Sequence, residues 1–373
     1  MGEGLLIYGA NGYTGELVAR RAVERGLRPT LAGRNGEAVA ALAEHLGLAH
    51  LAVSLDDPAG LDAALRGQRV VLHCAGPFRY TSSPMVEACF RAGVHYLDIT
   101  GELAVFESLY NRDAEARAAG VTLLPGVGFD IVPTDCLAAH LKRRLPGAQC
   151  LELAFRLVGR PSRGTAITAI EGAASGAVRR GGKIVRVAPG HVSRRVDFGR
   201  GPVTVVAIPW GDVSTAYYST GIPDITVYSY VPPLVARALR AGRLAWPVLA
   251  WRPVRELLRR MVRRQPPGPT DAARARGLGL VWGEACDGAG TCVASRLRTP
   301  EGYTFTALAA VLIAEKTLAG AAPTGFQTPS LAFGPDLVLE IPGVEREDLA
   351  GEDIRGGHDD RAGDSGYARR SAL

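Results

Sequence analysis

Lysine is almost missing. In 373 residues only Lys142, Lys183 and Lys316 occur, and four places before them stand Ala138, Arg179 and Leu312. A Tyr-x-x-x-Lys proton-transfer pair is therefore excluded. Cysteine is also sparse: six residues in a chain this long make no disulfide framework. No Cys-x-x-Cys or His-x-x-x-His pairing occurs, so no metal site is expected. No apolar run approaches the roughly 18 residues that span a bilayer. The opening Met-Gly-Glu-Gly lacks the basic and apolar regions of a secretory signal. The simplest expectation is a cytoplasmic protein. No internal repeat is visible.

What is present suits a globular enzyme-sized chain. An apolar fraction of 47% and this length allow two packed domains. Cys286 and Cys292 flank the turn Asp287-Gly288-Ala289-Gly290-Thr291 and can face each other across a hairpin. A reducing compartment weighs against a bond there, and whether they pair stays open. The net charge of +6 is uneven. Val231–Gln265 holds nine arginines against Glu256, about +8, so it carries the whole excess. Its arginines alternate with Leu, Val, Met and two tryptophans. That pattern fits an anionic membrane surface and equally a solvated lid or subunit contact. Nothing in it resembles a nucleic-acid recognition module, so no nucleic acid is expected.

The first 145 residues alternate apolar β-rich runs (Leu5–Tyr8, Thr30–Ala32, Ala52–Leu55, Val70–Cys74, Tyr96–Ile99, Val121–Leu124) with helix-period segments. The helices are expected over Gly15–Glu24, Glu37–His45, Ala59–Leu65, Pro84–Ala92, Leu103–Ala119 and Pro133–Leu145, with Pro84 and Pro133 in first turns. This predicts an α/β fold, a doubly wound parallel sheet over residues 1–145. Residues 146–303 read as an α+β domain of mixed sheet for substrate, with room for a homodimer contact. There Cys150–Val158, Lys183–Val187, Val203–Ile208 and Ile225–Tyr230 are strands, Thr165–Val178 a helix and Gly277–Arg298 a hairpin. Residues 304–342 return to the core, with a helix over Thr304–Ala319 that Gly320 ends. Residues 343–373 are polar, charged and glycine-rich, and are expected to be a flexible tail.

Gly9-Ala10-Asn11-Gly12-Tyr13-Thr14-Gly15 follows a predicted strand and opens a predicted helix, the context a phosphate-binding turn needs. Gly9 permits the tight turn, Gly12 lets a pyrophosphate approach, and Gly15 lets the helix pack on the strand. The second strand ends in Gly33-Arg34-Asn35, with no acid to hold ribose hydroxyls; the first is Glu37. The Arg34 fork suits a 2′-phosphate, so NADP is the expected cofactor. The fourth strand runs into Ala75-Gly76-Pro77-Phe78, placed to line the nicotinamide side. His73 reads as a core histidine.

GANGYTG, LAGRN, AGPF, HYLDITGE (His95–Glu102), GVGFDIVPTD (Gly126–Asp135), RGTAITAIEG (Arg163–Gly172) and PWGDVSTAYYSTGIPDITVY (Pro209–Tyr228) occur in this order. Together they resemble the saccharopine dehydrogenase-like oxidoreductases, most closely the branch that includes trans-acting enoyl reductases. The resemblance covers about Gly4 to Ile341. It implies a Rossmann domain, a mixed-sheet domain and NADP-linked reduction, and it does not fix the substrate. The expected function is NADPH-dependent reduction of an activated C=C or C=N bond in a hydrophobic, lipid-like small molecule. The alternatives are an amino-acid imine reductase of the saccharopine type and a non-catalytic NADPH-binding scaffold at a membrane.

Candidates for a proton donor lie at strand ends facing the crevice: Tyr80, Asp98, Glu102 and Asp130. For Asp98 and Glu102 the alternative is a hydrogen-bonded structural carboxylate that caps a helix. Gly128 and Phe129 are expected to hold the nicotinamide face, and Asp135 to sit at a helix N-terminus. Thr165 and Glu171 either reach the cleft or pack on the sheet. Tyr217 and Tyr218 read as sheet aromatics.

Overall fold

The computed structural model describes residues 4–172, 176–188, 190–231, 256, 260–262 and 264–350. The basic segment Val231–Gln265 lies almost wholly outside these residues, as does the chain beyond 350. Strand and helix alternate through β1 (Leu5–Tyr8), α1 (Tyr13–Glu24), β2 (Thr30–Gly33), α2 (Gly36–Leu46), β3 (His50–Ala52), α3 (Pro58–Leu65), β4 (Val70–His73), α4 (Phe78–Ala92), β5 (His95–Asp98), α5 (Leu103–Tyr110), α6 (Asp113–Ala118), β6 (Thr122–Leu124) and α7 (Val132–Arg144). There follow β7 (Cys150–Val158), α8 (Arg163–Gly172), β8 (Gly176–Arg180), β9 (Lys183–Val187), β10 (Ser193–Asp197), β11 (Pro202–Ala207), α9 (Asp212–Thr220) and β12 (Asp224–Tyr230). The last described elements are α10 (Asp271–Arg276), β13 (Leu278–Cys286), β14 (Cys292–Pro300), α11 (Gly302–Leu318), β15 (Gly325–Phe326), α12 (Pro329–Phe333) and β16 (Glu345–Leu349).

The first sheet has the order β15-β6-β5-β4-β1-β2-β3, with every neighbouring pair parallel. β1, β2 and β4 are buried at every residue, as strands covered by helices on both faces must be. Strand order reverses between β1 and β4, which opens the crevice where such folds hold ligands. The second sheet runs β10-β11-β12-β7-β13-β14-β16, with β8 and β9 attached at β12. β7 and β12 are parallel and the other pairs antiparallel.

One apolar core joins the sheets. Ile7, Val18, Leu72, Leu124, Leu137, Leu153, Val227, Val281, Phe305 and Ile313 all belong to it. α11 lies inside it, with Phe305, Ala309, Ala310, Ile313 and Ala314 fully buried. Its small residues let it pack closely on α1. The chain after the mixed sheet thus returns to the first one, and β15 adds the outermost strand beside β6. Among the described residues no helix is long and apolar enough to cross a membrane.

Several boundaries differ from the sequence reading. α4 begins at Phe78, so Pro84 stands inside the helix rather than in its first turn. Residues 103–119 break at Asn111-Arg112 into α5 and α6. The helix expected over Thr165–Val178 stops at Gly172, and Val178 lies in β8. Gly181 and Gly182, with φ of 54° and 76°, turn β8 back along β9 and commit that stretch to a hairpin. Tyr217 and Tyr218 are on helix α9, not in a sheet. Residues 345–349, expected in a flexible tail, form edge strand β16 on β14. Its charges are matched across the pair: Glu347 meets Arg296 at 2.8 Å, and Asp348 accepts from Ser295 Oγ at 2.7 Å and lies 2.8 Å from His140. Cys286 and Cys292 are joined by a disulfide across the β13–β14 hairpin.

Candidate cofactor site

Gly9 and Gly15 are demanded by the fold itself. Gly9 has φ of +78°, and a Cβ there would lie 2.9 Å from the Ala75 nitrogen. A Cβ on Gly15 would collide with the Gly9 carbonyl oxygen, so the α1–β1 approach forbids any side chain. The turn is tied down by Gly9 and Ala10 N–H groups, both donating to the Ala32 carbonyl. Gly12 is different. It is exposed, its backbone is extended at φ −79° and ψ 159°, and a Cβ there meets only the Gly9 oxygen at 3.2 Å. It is the N-cap of α1 and supplies no side-chain cap. The first-turn N–H groups of α1 therefore face the crevice for an anion, with the positive end of the helix dipole behind them.

Arg34 and Asn35 follow β2. Arg34 is exposed and makes no hydrogen bond or ion pair among the described residues, so its guanidinium is available to a 2′-phosphate. Asn35 caps α2, its Oδ1 accepting from Ala38 N at 3.2 Å. Asn11 lies over the end of the same strand: a Cβ on Gly33 would come within 3.1 Å of its Oδ1. Ala75, Gly76 and Pro77 form the turn after β4, which includes a cis Gly76–Pro77 peptide and is held by Thr81 Oγ1 donating to the Ala75 carbonyl at 2.6 Å. Phe78 stacks edge-on against His73. His73 is wholly buried among Tyr8, Phe78 and Tyr96, and burial pushes it down to about 3, so it is neutral.

Three expected ligand residues are turned elsewhere. The Tyr13 side chain points away from the phosphate position. Its hydroxyl donates to the Pro269 carbonyl at 2.7 Å and accepts from Arg274 at 3.0 Å, and its ring meets Tyr303 edge-on at 5.1 Å. Only its backbone N–H remains for the cofactor. Phe129 is a core residue packed edge-on against Phe155 and Phe305, and Gly128 is pressed on Thr306, where a Cβ would lie 2.9 Å from Cγ2. Both therefore pack directly on α11.

The four proposed proton donors separate by environment. Tyr80 is 67% exposed on the first turn of α4, with the Arg79 guanidinium over its ring, and stands apart from the enclosed acids. Asp98 is a buried staple: its oxygens accept from Tyr96 hydroxyl at 2.7 Å and from the N–H groups of Thr100 and Gly126 at 2.9 Å each. Burial raises it to about 6, while the backbone donors oppose that rise. Glu102 caps α4, accepting from Phe78 N at 2.8 Å and Arg79 N at 3.2 Å. For both, the helix-capping or structural alternative is what the geometry shows.

Asp130 is the exception. Its backbone carbonyl is fixed by the Trp210 indole N–H at 2.7 Å. Its carboxyl lies against the Gly101 backbone, where a Cβ would meet Oδ2 at 2.9 Å. It has no hydrogen-bond or ion-pair partner among the described residues, and burial alone pushes it up to about 7. A carboxyl that keeps its proton near neutrality, yet remains partly accessible, can deliver it to a ligand.

The sequence reading passed over two contributors here. Trp210 and Asp212 both lie in PWGD, a stretch whose spacing alone carries no catalytic signal. Asp212 is fully buried, is held well above the ordinary carboxylate range by desolvation, and interacts with Asp130 and Asp135. Asp135 accepts from Ser330 N at 2.7 Å and so caps α12 rather than serving only its own helix dipole. Thr165 reaches Tyr303, oxygen to oxygen, at 2.9 Å; the side chain of Glu171 lies outside the described residues.

Comparison with known proteins agrees with this site. Residues 5–124 match the family model of the saccharopine dehydrogenase NADP-binding domain. The chain is 29% identical to a saccharopine dehydrogenase-like oxidoreductase of Bos taurus, over 38% of each chain. It is 33% identical to a trans-acting enoyl reductase of Mycobacterium ulcerans (strain Agy99), over 38% of this chain and 35% of that one. The match thus spans little more than a third of these relatives' length. Among solved structures, apo saccharopine dehydrogenase (L-Glu forming) from Saccharomyces cerevisiae superposes with a TM-score of 0.64, covering 93% of this chain and 99% of that one at 13% identity, which shows a shared fold. The free α1 terminus, the bare Gly12 and Arg34, which has no partner among the described residues, agree with the family model: residues 5–124 are similar to the NADP-binding domain of saccharopine dehydrogenases.

Proposed function

We propose that the chain is an NADPH-dependent reductase of an activated C=C or C=N bond in a hydrophobic, lipid-like molecule, with Asp130 as the proton donor. The observation that carries this reading is the Asp130 carboxyl, packed on the Gly101 backbone, pushed up to about 7 by burial and with no hydrogen-bond or ion-pair partner among the described residues. NADPH, when bound, supplies a hydride to the electron-poor atom of the double bond. The α1 N-terminus and Arg34 hold the phosphates, and Asp130 donates its proton to the atom that gains electron density. Solvent reloads the carboxyl, which is partly accessible.

An apolar substrate is supported by the surroundings. Trp210 fixes Asp130 and packs at 4.9 Å on Phe155. No arginine or lysine pairs with Asp130 among the described residues, whereas an amino-acid imine would need a cation for its carboxylate. The name of the mycobacterial relative points the same way. The basic segment Val231–Gln265 would bring such an enzyme to an anionic membrane surface. The test is NADPH consumption by the wild-type chain across enoyl and imine acceptors of graded chain length. Turnover that rises with apolar length on enoyl acceptors supports the reading; turnover confined to amino-acid imines contradicts it.

A further inference from the structure

Three cysteines stand in one row across the mixed sheet. Cys286 of β13 is directly opposite Cys150 of β7 on one side and Cys292 of β14 on the other. Opposed residues project to one face of a sheet with Cβ atoms roughly 4.5–5.5 Å apart. Cys286 and Cys292 share a disulfide, while Cys150 carries a thiol and is exposed. The row continues onto β12 with Asp224, opposite Cys150, whose Oδ2 lies 4.0 Å from the Cys150 sulfur. The row sits at the start of β7. Phe155, which packs on Phe129, is five residues further along, or about 17 Å. The cysteines therefore lie well away from Asp130 and the crevice.

Thiol–disulfide exchange needs an attacking sulfur, a central sulfur and a leaving sulfur close to one line. A row across three adjacent strands places Cys286 between the other two, the order such an attack needs. We propose that Cys150, Cys286 and Cys292 form a thiol–disulfide exchange site that holds one disulfide in either of two positions. Cys150 loses its proton to water or to the Asp224 carboxylate, and its thiolate attacks Cys286 Sγ. The Cys286–Cys292 bond breaks as the Cys150–Cys286 bond forms, and Cys292 leaves as a thiolate that takes up a proton. No electrons are gained or lost. One isomer closes the β13–β14 hairpin; the other ties β7 to β13. The reactive thiol presented to small-molecule thiols and disulfides changes from exposed Cys150 to half-buried Cys292.

Glu284 joins two of these sulfurs: the ligating atoms of Glu284, Cys286 and Cys292 lie within 4.8 Å of one another. A disulfide sulfur is no thiolate ligand, so exchange is the chemistry this oxidised row supports.

Peptide mapping tests the proposal. The full-length wild type is equilibrated with a trace of a small thiol, quenched in acid, alkylated with N-ethylmaleimide, digested with trypsin and analysed by mass spectrometry. Arg144, Arg156, Arg276 and Arg296 place Cys150 on one peptide and Cys286 with Cys292 on another. The expected result is a cross-linked Cys150–Cys286 species beside the intrapeptide disulfide. Diamide-oxidised Cys292→Ser should lose most of its Cys150 alkylation to that cross-link, and Cys150→Ser should show the intrapeptide bond alone. Absence of the cross-link in equilibrated wild type overturns the proposal. So does full Cys150 alkylation in oxidised Cys292→Ser with an unchanged circular dichroism spectrum.

Discussion

Replacing Asp130 by Asn removes one proton and leaves the shape. Burial holds this carboxyl at about 7, against an ordinary value of 3.8. In the reductase the acid must be protonated, so kcat/KM should be flat at low pH and fall as pH rises through about 7. The amide of Asp130→Asn has no such proton to give, and the rate loss expected for a general acid is about 10²–10⁴-fold, or roughly 3–5 kcal/mol of barrier. The descending limb near pH 7 should vanish with it. Stability responds to the same proton. A carboxyl raised from 3.8 to about 7 binds its proton in the folded state where the unfolded chain has released it. The wild type therefore loses stability as pH rises from about 4 to about 7, and that loss is complete above it. The shift corresponds to about 4 kcal/mol at most, less because the group is partly accessible to water. Asp130→Asn should thus melt no lower than wild type at pH 8 while being catalytically crippled. The assays are NADPH consumption from pH 5 to 9 and thermal denaturation at both ends of that range. Activity within about threefold of wild type, with the descending limb intact, would refute the assignment.

Arg34→Asp should weaken NADPH binding about 10–100-fold, the value of one or two charge-assisted hydrogen bonds, and leave NADH binding unharmed, as read by nicotinamide fluorescence. Gly15→Ala forces a Cβ onto the Gly9 carbonyl oxygen, so it should cost at least about 1–3 kcal/mol, measured by urea denaturation, and lower affinity for both dinucleotides. Asp98→Ala leaves the Tyr96 hydroxyl and the N–H groups of Thr100 and Gly126 without their acceptor; a loss of at least about 1–3 kcal/mol is expected in the same assay. Sedimentation with anionic vesicles at low salt should pull the chain down and release it at high salt, and no pelleting at low salt removes the membrane role of Val231–Gln265.

The parallel sheet and its glycine turn were legible because their signals are local. Strand runs are short and apolar, Asn35 and Asp57 cap α2 and α3, and Gly15 is needed by its contact with Gly9 six residues before it. The positions of Tyr13 and Phe129 were not legible. Both depend on α11 and the segment around Gly268, which arrive from about 250 and 180 residues later in the chain. Glu102 and Asp98 have the composition of catalytic acids. Only the structure shows their oxygens already engaged by backbone N–H groups. β16 escaped notice because charged residues make a poor strand signal, and its partners Arg296 and Ser295 lie on a strand some fifty residues earlier. Trp210 and Asp212 sat in a visible motif. What they touch is set by the packing of α9 on α7 and not by spacing.

The most direct test of the central claim is a fluorescence titration of the purified wild-type chain with NADPH and, separately, NADH. The free α1 N-terminus together with Arg34 predicts saturable NADPH binding at least tenfold tighter than NADH, a preference lost in Arg34→Asp (about one charge-assisted contact). Equal affinity for the two dinucleotides, or no binding of NADPH, would contradict the account.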